Sequence, residues 1–133
     1  MLSNTCIQEL QNAWLPNISA RGLDRLIHLL ETGSPLLIHG SFTRSVPMGC
    51  LATHCGWHHP KTSHLTLEAG ICWLSHVAHL NPATSHVIRE WDRGSPWDLE
   101  LRAEFLRVFR EYRENMKKLE EQSSATELSA SCV

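Results

Sequence analysis

The stretch "GCLATHCGWHHPKTSH", Gly49 to His64, holds two cysteines and four histidines. Thiolate, imidazole and carboxylate are the groups that grip zinc or iron, and pairs four residues apart on a helix share one face. Cys50, His54 and His58 have that spacing, and Glu68, Cys72 and His76 repeat it. Residues 50 and 76, 54 and 72, and 58 and 68 are equidistant from Ser63, so an antiparallel hairpin turning there would level all three pairs. The expectation is a zinc site, with iron as second choice, between two consecutive helices.

Rotation works against it. At about 100° per residue, the first triple lies about 110° from the apolar face Met48, Leu51, Ala52 and Cys55. The second lies about 130° from Leu67, Ile71, Leu74 and Ala78. With both apolar faces on one core the triples lean the same way, and a site then needs a rolled hairpin or completion by His28 or His39. The competing reading makes Cys50, Cys55 and Cys72 small buried hydrophobes, and the histidines boundary residues with ordinary hydrogen-bond partners.

The elements that would carry these residues are helices. Ile7, Leu10 and Trp14 recur at helical spacing from Ser3 until Pro16. Ser19 is a cap for a second helix with Leu23, Leu26, Ile27 and Leu30 inside and Gly33 as its stop. "SPLLIHGSFTRSVP" has no second strand to pair with and is expected to be loop. Ser45, with Pro47 in the first turn, is expected to start a third helix reaching His59, and a fourth spans Thr66 to Leu80. Asn81-Pro82 and Ser95-Pro96 promise two more starts, with Asp98 completing a capping box. The last helix carries the stripe Trp97, Leu101, Phe105, Val108, Tyr112, Met116 and Leu119. The fold class is therefore all-α: a single compact bundle of five or six helices over residues 1–121, then a disordered tail over 122–133, which is poor in apolar mass.

Composition narrows the function classes. The 133 residues carry 12 basic against 14 acidic side chains, without the basic excess of a protein that grips phosphates unaided, so nucleic acid is not favoured. Five cysteines cannot all pair within one chain, and "MLSNTCIQEL" has neither a basic region nor an apolar core of a secretory leader. A soluble protein of the reducing cytoplasm, away from membranes, is expected. There is no G-x-S-x-G, phosphate loop or dinucleotide fingerprint, and Cys55 near His58 and His59 lacks an orienting group, so no catalytic residue is assigned.

"WLSHVAHLNPATSHVIREWDR", Trp73 to Arg93, resembles a helix-turn-helix. That resemblance implies Leu74, Ala78, Leu80 and Ile88 inside, and Thr84, Ser85, His86, Arg89 and Arg93 turned toward DNA. A third expectation is a metal-free adaptor that docks a protein partner, or a second copy of itself as a homodimer, through the helix over 96–121.

Overall fold

The computed structural model describes residues 2–62 and 66–131, with side chains described as far as residue 123. Ser3 starts α1 (Asn4–Glu9) by accepting from the Cys6 amide at 3.2 Å. The chain winds on through a π-helical turn, Leu10–Trp14, and a 3-10 turn, Leu15–Asn17, that carries Pro16. Ser19 caps α2 (Ala20–Thr32) through the Gly22 amide at 3.0 Å. Gly33 ends it at φ 61°, a left-handed conformation that glycine adopts without a Cβ penalty.

Four further helices follow: α3 (Leu51–Trp57), α4 (Ala69–His76), α5 (His86–Arg93) and α6 (Leu99–Ser131). The expected all-α class holds, with six α-helices and, among the described residues, no strand beyond isolated bridges of Gly49 to Leu37 and to Thr43. Three expected helix starts move. The Ser45 backbone carbonyl accepts from the Met48 amide at 2.6 Å in a turn of its own, and α3 begins later, after Cys50. Asn81 closes a turn by accepting the Ala83 amide at 2.9 Å, which passes the cap of α5 to Ser85. Ser95 accepts from the Trp97 amide at 3.3 Å, and the first turn of α6 is capped by Asp98, which accepts from Leu101 N at 3.0 Å. At Asn81 and Ser95 the side-chain oxygen that would cap a helix closes a short turn instead, and the residue before proline is pushed toward extended backbone.

Packing is organised around α3, all of whose residues are buried. Its crossing with α4 leaves no room for a Cβ at two glycines. One added at Gly56 would lie 2.5 Å from the Ala69 carbonyl oxygen, and one at Gly70 would lie 2.5 Å from Thr53 Oγ1 and 2.9 Å from Thr53 N. α2 lies against α3 and α6, and α5 against α1. Trp14 and Trp73 meet at 5.1 Å between centroids, and Trp91 meets Phe105 edge-on at 5.3 Å, pairs each worth about 0.5–1.5 kcal/mol beyond their buried area.

Glu9 locks α1 to α5. Its carboxylate accepts from Ser85 Oγ (2.6 Å), His86 N (2.9 Å), Val87 N (3.0 Å) and Trp14 Nε1 (2.9 Å), placing a negative charge where the amides at the start of α5 lack helical partners. On α6 the buried face is Arg102, Phe105, Val108 and Phe109, so Trp97 and Leu119 from the expected stripe are exposed. The backbone of α6 is described to Ser131; within the tail expected over 122–133, the side chains from 124 and the backbone from 132 lie outside the described residues.

The α3–α4 crossing yields a stability prediction. Gly70→Ala should cost about 1–3 kcal/mol, because the methyl group meets both the backbone nitrogen of Thr53 and its Oγ1, which is held by its bond to the Phe42 carbonyl. In urea unfolding the midpoint should fall with the slope unchanged. A variant within about 0.5 kcal/mol of wild type would contradict this packing.

Candidate functional site

The segment 34–50 forms neither helix nor strand, yet Leu37, Ile38, His39, Gly49 and Cys50 within it are buried, and side chains from the surrounding helices donate to four of its carbonyl groups. The Leu36 carbonyl accepts from His54 Nε2 on α3 at 2.8 Å and from the Gly49 amide at 2.9 Å. The Leu37 carbonyl accepts from Arg102 Nη2 on α6 at 2.9 Å, and Ile38 from the indole of Trp91 on α5 at 2.7 Å. The Phe42 carbonyl accepts from Thr53 Oγ1 at 2.7 Å and the Cys50 amide at 2.9 Å. Asp92 on α5 takes the Gly40 amide at 2.9 Å.

His39 and Arg102 form the polar centre of this arrangement. A carbonyl can only accept, so His39 Nδ1, 2.7 Å from the Trp91 carbonyl oxygen, carries the proton, and Nε2 accepts from Arg102 Nε at 3.3 Å. The imidazole stacks on Trp91 at 3.9 Å, and the guanidinium lies 5.5 Å from the same indole. Burial pushes His39 below the usual histidine range; its bond to Trp91 opposes this and the Arg102 charge reinforces it. Arg102 is only 6% exposed and, among the described residues, makes no ion pair. Its charge is compensated by the Leu37 carbonyl, the imidazole nitrogen and the indole face.

The expected zinc or iron site is overturned: among the described residues no three histidine, cysteine, aspartate or glutamate side chains converge to hold an ion. Cys50 is the cap residue of α3, its sulfur 3.6 Å from Thr53 Oγ1, and burial pushes the thiol up, away from the thiolate a metal would use. Burial likewise raises Cys55. His54 turns to the Leu36 carbonyl, and His58 ends α3, with its own carbonyl accepting from Ser19 Oγ at 2.7 Å. On α4 the buried residues are Ala69, Gly70, Trp73 and Leu74, which leaves Glu68 and His76 exposed and Cys72 half-buried. The two triples thus face different surroundings, and Ser63, the expected pivot, lies outside the described residues. For Cys50 and Cys55 the reading as small buried hydrophobes holds.

The residues of the helix-turn-helix expectation fall on two helices and the turn between them. α4 packs against α3 and α5 against α1, with residues 77–85 between them carrying the Asn81 turn. Thr84, His86, Arg89 and Arg93 are exposed, whereas Ser85 is buried, donating to Glu9 and capping α5. None of the described helices is long and apolar enough to cross a membrane.

Among the cavities that the described residues line, two bear on a ligand or partner. One, about 610 Å³, lies between the loop at Gly33–Gly40 and the turn Gly94–Trp97, with Arg44, Met48 and Asp92 also on its wall. The other, about 510 Å³, lies between α2 and α3. No known protein family, curated protein or solved structure matches the chain. Sequence reasoning passed over Arg102, Trp91 and Glu9; the legible signal was a cation three residues before Phe105, on the face of α6 that must be buried.

His54 generates a pH prediction. It is 2% exposed, with Nδ1 buried and unpartnered, and burial pushes it down to about 4, the Leu36 bond opposing and Arg25 and His58 reinforcing the shift. The unfolded chain takes up this proton near 6.5, so the neutral imidazole's contribution is complete above that pH and is lost as pH falls toward 4. The shift corresponds to on the order of 3 kcal/mol. His54→Gln, which keeps a donor for the Leu36 carbonyl, should flatten the decline in urea-measured stability across that interval. An equally steep decline in the variant would contradict this assignment.

Proposed function

We propose that the protein is a protein-interaction module whose docking surface is the start of α6, and that the occupant of this surface is a second copy of the chain. The observation that carries the reading is Trp97, 86% exposed at the lip of the 610 Å³ cavity, with Leu99 beside it at 74%. An indole is among the largest apolar groups a chain can expose, and tryptophan is enriched among residues that dominate interface energies. Knob and hole lie side by side on one face. A two-fold axis through such a face would bring each Trp97 to the partner's cavity, the reciprocal fit that an isologous interface requires. Phe105, Val108 and Phe109 belong to the chain's own core, so of the stripe expected along residues 96–121 these three are not offered to a partner.

Sedimentation over a range of concentrations tests the reading. A dimer is expected, and Trp97→Ala should raise its dissociation constant roughly ten-fold or more while leaving the helical signal intact, because the side chain is outside the core. A monomer at every concentration, or a dimer indifferent to Trp97→Ala, would overturn it.

A further inference from the structure

The cleft between α2 and α3 shares no lining residue with the Trp97 cavity. Its α2 wall presents Arg21, Arg25 and His28, and its α3 wall presents His54 and His58. Asp24 is the one carboxylate on the wall, and it is already engaged: Arg113 of α6 donates Nε to Oδ1 at 2.8 Å and Nη2 to Oδ2 at 3.4 Å. Among the described residues neither Arg21 nor Arg25 makes an ion pair or a side-chain hydrogen bond. Two permanent cations therefore face one depression whose one carboxylate is paired with Arg113, and they act on their neighbours: His58 is lowered by burial and then by Arg25 and Arg21.

We propose that this cleft binds a phosphate-type dianion, free or carried by a small organic ester, between the guanidinium groups of Arg21 and Arg25 and the imidazoles of His28 and His58. The two cations match the charge of about −1.5 to −2 on a phosphate monoester near neutral pH. Guanidinium groups four residues apart on one helix face can close on a tetrahedral anion from two sides, each as a two-pronged donor. The imidazoles add N–H donors for the remaining oxygens of the anion. The volume of about 510 Å³ exceeds what the anion alone fills, and Trp57 and Pro47 on the wall offer apolar surface to the organic part of an ester. Histidines that seemed grouped for a cation thus serve an anion, because the field around them is set by Arg21 and Arg25.

The test is isothermal titration of the whole protein with sulfate, inorganic phosphate, phenyl phosphate and acetate at one fixed ionic strength. Saturable binding of sulfate and both phosphates, and none of acetate, is expected. Arg21→Gln and Arg25→Gln should each weaken sulfate roughly ten-fold, and the double variant should lose it, while Arg89→Gln, an exposed arginine of α5 outside the cleft, should bind as wild type. Phenyl phosphate binding more tightly than inorganic phosphate would assign the site to an ester, and equal affinity would assign it to the free anion; either supports a dianion site. Sulfate binding that survives in the double variant, or acetate acting like sulfate, would overturn the proposal. The double variant should retain the wild-type circular dichroism spectrum, since Arg21 is exposed and Arg25 only half-buried.

Discussion

Backbone that enters the interior outside any helix must find donors for its carbonyl groups, and here, around Leu37–His39, it finds them in side chains. His54, Thr53, Trp91 and Arg102, from three helices, each donate to a carbonyl between Leu36 and Phe42. Leaving such an acceptor buried and unpaired costs about 1–3 kcal/mol, so the loop and the helices specify one another. The loop holds α3, α5 and α6 at fixed distances, and those helices make an irregular segment possible where a sheet would otherwise be needed.

Arg102 shows how the constraint decides the chemistry. A guanidinium removed from water without a carboxylate is costly, and it is tolerated because its N–H groups go to Leu37 and His39 while its face lies toward Trp91. That arrangement requires His39 to stay neutral, with its proton on the nitrogen facing the Trp91 carbonyl. The buried histidines are thus donors to backbone, a role that uses the ring nitrogens a metal would need. The groups left at the surface, Trp97 at one cavity and Arg21 with Arg25 at the other, are those the framework does not consume.

Much of the helical order was legible because its punctuation was unambiguous. Ser3, Ser19 and Gly33 bound α1 and α2 as their types suggest. The starts at Asn81 and Ser95 were not legible, since a turn and a cap ask for the same side-chain oxygen, and at Ser45 a turn closed by the backbone carbonyl takes the place of the expected cap. The face of α4 was misjudged for a different reason. Leu67 and Ile71 are the more apolar residues, yet they are 61% and 43% exposed, and Ala69 and Gly70 turn inward because the close crossing with α3 demands small groups. Spacing along the chain matched the two Cys/His triples, but spacing carries no information about helix rotation, and rotation separated them.

The central claim, that helix side chains pin the interior loop, is tested most directly by native-state hydrogen exchange in Arg102→Met. Ile38 N and Gly49 N bond to Gly49 O and Leu36 O at 3.0 and 2.9 Å, so their protection reports on the loop itself, and the Leu26 amide in α2 serves as reference. Loss of the charged donor should reduce protection at Ile38 and Gly49 by roughly 10- to 100-fold more than at Leu26. Equal loss at all three amides, or none at Ile38 and Gly49, would contradict the account.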